Sequence, residues 1–217
     1  MNILIVGAGS DPKRFGTFFK ERAEEQGHTV TTFSYRLYNE CIDDIMYRFE
    51  EEVSMMGHID LFLYNSIGGF YPGRNYDYTS GSEVSFQGWQ DGIMINAALP
   101  HAMSLKCLSY MDEKSSIVFM TSSASYLINR DSYLDMAGYF GTKGAMNQLM
   151  RALSEYNDKR ATVCAMAPHI PYENPEEDAI IMTQLTTRIL DLQDTDNGKI
   201  LQCFPPSGNI VYYDGGT

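Results

Sequence analysis

Short apolar runs alternate with helical segments along almost the whole chain, and this alternation constrains the fold more strongly than any other feature. The first run, residues 3–6, is continuous and ends at Gly7, which is typical of a strand buried on both faces. Further strands are predicted at 29–33, 59–64, 117–121, 162–167, 199–204 and 209–213. Helices are predicted at 13–26, 43–56, 85–111, 138–157 and 179–192, with a polar loop at 172–178.

This order of elements predicts an α/β fold, a doubly wound parallel sheet forming one Rossmann-like domain over residues 1–217. Each strand must be covered on both faces, so right-handed crossovers place helices on both sides of the sheet. Ligands of such sheets bind outside the carboxyl ends of the strands. The loops after Val6, Tyr64, Thr121 and Ala167 are therefore expected to surround one site.

Charge and cysteine usage exclude several function classes. The formal net charge is −12, from 28 acidic and 16 basic residues, which argues against nucleic acid and anionic membranes as partners. The four cysteines stand far apart without metal-ligand spacing, so reduced thiols, no metal and a cytoplasmic location are expected. We also expect no membrane span and no leader, because the apolar runs are short and no basic segment precedes the first strand.

A glycine-rich loop, residues 7–16, connects the first strand to the first helix. Backbone N–H groups and the helix dipole favour a phosphate at such a loop. It lacks a strict G-x-G-x-x-G pattern, and a plain turn is the alternative interpretation.

Tyr139 and Lys143 stand four residues apart at the start of a helix and hence on one face. A tyrosine with a pKa of about 10 needs phenolate stabilisation to act as an acid or base at neutral pH, and a neighbouring ammonium can provide it. In isolation, such a pair is also typical of an ordinary surface.

Other motifs accompany this pair in a defined order. They are Asn65-Ser66-Ile67-Gly68-Gly69, Trp89 with Asn96 seven residues later, residues 117–123, Gly144-Ala145, residues 165–168, Pro175-Glu176-Glu177 and residues 213–216. The chain thereby resembles the short-chain dehydrogenase/reductase family, classical type, over essentially its whole length.

The resemblance implies a catalytic tetrad of Asn96, Ser122, Tyr139 and Lys143. Tyr139 would exchange a proton with the substrate oxygen and Ser122 would hydrogen-bond that oxygen, with Ser123 as a competing candidate. Lys143 would bind the nicotinamide ribose and lower the pKa of the phenol, and Asn96 would hold a water linking Lys143 to solvent. The implied cofactor-binding residues are Gly7, Gly9, Ser10, Arg14, Gly16, Arg36, Asn65, Gly68, Tyr139, Lys143, Pro168 and Ile170.

The segment after the second strand, Ser34-Tyr35-Arg36, carries no acid. An acid there would bind the ribose 2′-hydroxyl of NAD, whereas Arg36 suits a 2′-phosphate. NADP(H) is therefore favoured over NAD(H), and a solvated Arg36 is the alternative.

Three departures from the family pattern stand out. The first loop is lengthened, with Arg14 where the family has its middle glycine. Ser122 and Tyr139 are 17 residues apart, which enlarges a loop whose Tyr126, Tyr133 and Met136 either line the pocket or pack. The substrate-covering lid after Pro168 is largely missing, and no role is assigned to His169, which stands where the family has glycine.

These features favour an NADP(H)-dependent oxidoreductase that transfers hydride between its cofactor and a carbonyl or alcohol. An NADP(H)-binding sensor or assembly module is the alternative. The resemblance also implies a homo-dimer or homo-tetramer.

Two predictions concern the long helices. Ala145, Leu149, Ala152 and Leu153 are expected on one apolar face of the 138–157 helix. Met103, Cys107, Met146 and Met150 are expected at a subunit interface, with the core as the alternative.

Overall fold

The computed structural model describes residues 1–11, 13–37, 40–66, 86–122, 137–158, 161–168, 174–203 and 210–213. These residues form seven strands, namely β1 (Asn2–Val6), β2 (Thr29–Phe33), β3 (Leu61–Tyr64), β4 (Ser115–Met120), β5 (Ala161–Pro168), β6 (Ile200–Cys203) and β7 (Ile210–Tyr213). Their helices are α1 (Phe15–Glu25), α2 (Ile42–Met56), α3 (Phe86–Ile93), α4 (Leu99–Cys107), α5 (Ala137–Tyr156) and α6 (Pro175–Leu190). A π-helical segment, Met94–Ala98, joins α3 to α4.

The strands form one sheet in the order β2-β1-β3-β4-β5-β6-β7. The first six are parallel, and β7 pairs antiparallel with β6. The predicted doubly wound parallel sheet is thus confirmed for six strands, with one antiparallel edge strand added. The chain moves from β1 outward to β2 and then crosses back to β3 on the other side. The resulting switch point between β1 and β3 is where such sheets bind ligands.

Helices cover both faces of the sheet because successive residues of each buried strand point to opposite sides. Ile3 and Ile5 pack with α1 and α6 on one face. Leu4 and Val6 pack with α2, α4 and α5 on the other. Within the described residues, no helix is both long enough and apolar enough to cross a membrane.

The first turn of α6 corrects the predicted loop at 172–178. The helix begins at Pro175 because the Asn174 side chain accepts hydrogen bonds from the backbone N–H groups of Glu176 and Glu177, at 3.2 and 3.5 Å. Proline suits the first helical position, where its missing N–H has no intrahelical role.

The buried face of α5 differs from the predicted one. Ala145 and Ala152 are exposed, and the face toward the sheet carries Met146, Met150 and Leu153. Met146 and Met150, like Met103 and Cys107 of α4, belong to the core of the chain. Of the two placements that the sequence allowed for these four residues, the structure shows the core, because the helices use their bulkiest apolar side chains to cover the sheet.

Candidate active site

Tyr139 and Lys143 lie one turn apart near the start of α5, and both are buried, at 7% and 1% exposure. The Lys143 Nζ is 5.9 Å from the centroid of the Tyr139 ring, within the range of a cation–π contact. The alternative of an ordinary surface pair does not hold. The structure places the Lys143 ammonium beside the ring of Tyr139, the phenol whose pKa it would have to lower.

The Lys143 ammonium donates a hydrogen bond to the carbonyl of Met120, the last residue of β4, at 2.8 Å. Burial lowers the pKa of Lys143 to about 7, because desolvation disfavours the charged form. A lysine buried this deeply costs stability. Such a cost is typical of a residue retained for chemistry.

Asn96 lies in the π segment and is completely buried. Its Nδ2 donates to the Thr142 Oγ1 at 3.1 Å, and that hydroxyl donates to the Tyr139 carbonyl at 3.0 Å. Thr142 therefore connects Asn96 to the turn of α5 that carries Tyr139. Sequence reasoning missed Thr142, although its position inside the Tyr-x-x-x-Lys motif was a signal for it.

Ser122 is half-buried and follows the end of β4, two residues beyond Met120. The backbone N–H of Thr121 donates to the carbonyl of Met166 at 2.8 Å and keeps this strand end in register with β5. Asn96, Tyr139 and Lys143 are thus joined through named contacts, and Ser122 stands at the same end of the sheet. Ser123 lies outside the described residues.

Two glycines of the first loop are required by close packing. Gly7 has a φ of +81°, and a Cβ on it would lie 2.7 Å from the backbone of Ser66. A Cβ on Gly16 would lie 2.5 Å from the Asn65 Nδ2 and 2.8 Å from the backbone of Ala8. The Asn65 Nδ2 also donates to the Gly7 carbonyl at 2.9 Å. The ends of β1 and β3 and the start of α1 therefore meet at van der Waals distance.

The outer part of this loop suits a phosphate. Gly9 and Ser10 are exposed, and Gly9 has a φ of +75°, with no atom of the described residues nearer than 4.0 Å to its absent Cβ. No described side chain caps the start of α1 at Arg14, and its first turn holds no acid. The donors at the end of a helix therefore face an open glycine turn, which fits a pyrophosphate.

A carboxylate also lies in this loop. The Asp11 Oδ1 accepts from the backbone N–H of Lys13 at 2.9 Å, and the Oδ2 is 3.7 Å from the Arg14 Nε. Asp11 therefore offsets part of the positive charge that the sequence places at the loop. Both members of the Arg14 pair are exposed, so their attraction is weak in water.

Arg36 is exposed and lies three residues after the end of β2. Its backbone N–H donates to the Glu40 Oε2 at 2.8 Å, and the Glu40 Oε1 accepts from Arg48 at 3.0 Å. The fold thus brings the carboxylate of Glu40, four residues further along the chain, to the backbone of Arg36. Sequence reasoning missed Glu40 because it considered only residues 34–36 for an acid.

Pro168 closes β5, and α6 begins at Pro175, so only residues 169–174 connect them. This confirms that the segment available to cover the site is short. Gly68 and Ile170, predicted to bind cofactor, lie outside the described residues, as do Tyr126, Tyr133, Met136, His169 and Tyr172.

Comparisons with solved structures agree with this architecture. A short-chain dehydrogenase from Salmonella enterica serovar Typhi is 18% identical with a TM-score of 0.66, over 93% of this chain and 94% of that one. Carbonyl reductase Sniffer of D. melanogaster is 14% identical with a TM-score of 0.64, over 93% and 96% of the two chains. BdcA, solved in complex with NADPH, is 16% identical with a TM-score of 0.63, over 93% and 91%.

These matches define the class of fold. The protein has the fold of the short-chain dehydrogenases and reductases, as the order of sequence motifs predicted. Comparison of the sequence with protein-family models and with curated proteins gave no match.

Proposed function

We propose that this chain is a short-chain dehydrogenase/reductase, an NADP(H)-dependent oxidoreductase that interconverts a carbonyl and an alcohol. One observation carries the proposal. A buried Lys143 lies beside the Tyr139 ring at the carboxyl end of β4, and Asn96 is linked to the same turn of α5 through Thr142. Because fold alone does not define activity, this cluster rather than the sheet is the reason for proposing an enzyme.

The bound nicotinamide would supply hydride to the substrate carbonyl carbon or accept it from the alcohol. In the reductive direction the Tyr139 hydroxyl donates its proton to the carbonyl oxygen, while Ser122 donates a hydrogen bond to the same oxygen. The Lys143 ammonium favours the phenolate that remains, because opposite charges attract strongly in a buried site. Asn96 and Thr142 hold the first turn of α5, so these groups keep their positions during proton transfer.

NADP(H) is proposed over NAD(H) on the exposed cation at Arg36, assisted by Lys13 and Arg14. A guanidinium binds a 2′-phosphate through charge-assisted hydrogen bonds. Glu40 opposes this choice, since a carboxylate beside the ribose favours the free 2′-hydroxyl of NAD. The ion pair between Glu40 and Arg48 partly neutralises this carboxylate, which weakens its repulsion of a 2′-phosphate.

The proposal treats residues 1–217 as one dinucleotide-binding and catalytic domain acting in the cytoplasm on a small molecule, without a nucleic acid or membrane partner. It includes a homo-dimer or homo-tetramer. The exposed face of α5, with the small residues Gly141, Ala145 and Ala152, is the surface offered for assembly. Trp89 of α3 lies beside it, with its ring 3.9 Å from the position that a Gly141 Cβ would occupy.

An NADP(H)-binding sensor is the second candidate, and the short connection between β5 and α6 favours it. With little chain to cover the substrate, the site excludes water less well. Two measurements separate the candidates, NADPH binding by its fluorescence and NADPH oxidation over a panel of aldehydes and ketones. Turnover that disappears in Tyr139→Phe supports the enzyme, whereas binding without turnover across the panel supports the sensor. Failure to bind either NADPH or NADH would contradict both.

A further inference from the structure

The carbonyl of Ile95, inside the π segment, has lost its backbone hydrogen-bond donor. In an α-helix it would accept from the N–H of Leu99, but that N–H donates to Met94 instead. In π-helical geometry it would accept from residue 100, which is a proline and has no N–H. The surroundings of this carbonyl are partly buried, and a carbonyl withdrawn from water without a donor is costly. Another group must therefore satisfy it.

Tyr64, the last residue of β3, supplies the missing donor. Its side chain is completely buried, and its hydroxyl donates to the Ile95 carbonyl at 2.6 Å. The Tyr35 hydroxyl lies 2.5 Å from that of Tyr64. Because the single proton of Tyr64 is directed at Ile95, Tyr35 is the donor in this second bond. Burial raises the pKa of Tyr64 well above its usual value, so its hydroxyl keeps its proton.

The next residue after Ile95 is Asn96, which connects through Thr142 to the carbonyl of Tyr139. The bond from Tyr64 therefore holds the backbone from which Asn96 reaches α5. We propose that Tyr64 is a positioning residue, which fixes the π segment so that Asn96 can hold the turn bearing Tyr139 and Lys143. Its kinetic consequence rests on the proposed oxidoreductase function.

The contact also connects the two ends of the site. Tyr35 immediately precedes Arg36, the residue proposed to bind the 2′-phosphate at the adenosine end of the cofactor. The chain of contacts from Tyr35 through Tyr64 and Ile95 to Asn96 thus runs from the end of β2 to α5. Packing alone does not require this arrangement, since a phenylalanine at position 64 would fill the same core with its ring.

Tyr64→Phe tests the proposal because it keeps the ring and removes only the hydroxyl. Tyr110→Phe is the matched control, a half-buried tyrosine packed against the same core, whose carbonyl accepts from Ile59 just before β3 begins. Tyr35→Phe should have an intermediate effect, because it removes the bond from Tyr35 to Tyr64 but leaves the bond from Tyr64 to Ile95 in place. The readouts are kcat with NADPH and benzaldehyde, the Kd for NADPH, and hydrogen exchange of residues 94–98.

For Tyr64→Phe we expect kcat to fall about tenfold or more, with the Kd for NADPH changed by less than about threefold. Amide exchange in the π segment should accelerate by at least about tenfold. Tyr35→Phe should show a smaller loss, and Tyr110→Phe should resemble the wild type. Equal kcat values for Tyr64→Phe and Tyr110→Phe would overturn the proposal, as would a parallel loss of NADPH binding.

The exchange measurement separates this inference from the proposed function. If the wild type has no turnover but Tyr64→Phe accelerates exchange at residues 94–98, the positioning role stands and the enzyme assignment fails. If Tyr139→Phe is inactive while Tyr64→Phe keeps full activity and slow exchange, the enzyme assignment stands and the positioning role fails.

Discussion

The Lys143 ammonium donates to the Met120 carbonyl across 2.8 Å while its whole side chain is withdrawn from solvent. Among the described residues this carbonyl is the one oxygen that accepts from the ammonium, and it is poor compensation for burying a charge. Burial accordingly lowers the pKa of Lys143 to about 7, from an ordinary value of 10.5. The arrangement stores unfavourable free energy beside Tyr139, which a bound anionic cofactor would relieve.

Lys143→Met should stabilise the protein without cofactor and abolish turnover. At about pH 6 the charge penalty is fully present in the wild type, so we expect a gain of about 2 to 4 kcal/mol in unfolding free energy. Between the folded and unfolded pKa values the unfolded chain binds the extra proton, and wild-type stability rises with pH. The gain of the variant should therefore shrink from about pH 7 upward and be small above pH 10.5.

Urea denaturation across this pH range measures the effect. Lys114→Met, at an exposed position of the loop before β4, is the control and should show no such pH-dependent gain. A Lys143→Met variant that is less stable than the wild type at every pH would contradict the strained burial of this ammonium.

Tyr139→Phe should abolish turnover while leaving NADPH affinity within a few fold. The ring and its contact with Phe140, at 6.1 Å between centroids, are retained, and only the proton donor is lost. Steady-state kinetics and fluorescence titration measure the two quantities separately. Substantial residual activity would remove Tyr139 from its assigned role.

Arg36→Asp should weaken NADPH binding far more than NADH binding. Loss of a charge-assisted contact to the 2′-phosphate costs roughly 1.5 to 3 kcal/mol, or about one to two decades in Kd. Glu40→Gln should have the opposite effect and strengthen NADPH binding, because it removes the negative charge of the carboxylate that accepts from the Arg36 backbone N–H. Equal losses of NADPH and NADH affinity in Arg36→Asp would show that Arg36 does not bind the 2′-phosphate, and Lys13 or Arg14 would then be the candidates for that contact.

Gly16→Ala should destabilise the fold and weaken NADPH binding, since the added methyl group meets the backbone of Ala8 as well as the Asn65 amide. We expect a loss of roughly 1 to 3 kcal/mol in unfolding free energy, typical of overpacking. Gly141→Ala is a matched control, because among the described residues its methyl group would meet Trp89 alone, at 3.9 Å, and alanine favours a helix. Comparable thermal stability in the two variants would contradict the tight contact at Gly16.

The short connection between β5 and α6 predicts a dependence on substrate size. Small ketones and aldehydes gain little binding energy in a poorly covered site, whereas bulky aromatic carbonyls bury more apolar surface, worth roughly 1 to 3 kcal/mol. We expect kcat/KM to be about tenfold or more higher for the aromatic members of a carbonyl series. A flat or inverted dependence would indicate that another segment or a second subunit closes the site.

Local spacing was sufficient to predict most of the secondary structure, whereas Asn96 and Ser122 became candidates only through the resemblance to a known family. A continuous apolar run indicates a buried parallel strand, and a spacing of four places Tyr139 and Lys143 on one helix face. These inferences succeed because they depend on neighbouring residues. Local sequence pattern also placed Gly7 and Gly16 in the first loop. It did not predict the close contacts that require glycine at these two positions.

The remaining features depend on which distant residues meet. Apolar spacing alone could not distinguish the sheet-facing methionines of α5 from the exposed Ala145 and Ala152, because the orientation of a helix is decided by the sheet beneath it. Tyr64 reaches Ile95 because β3 ends against the π segment. Hydrogen bonds between distant segments form only once packing has excluded water from both partners, so tertiary structure alone determined them.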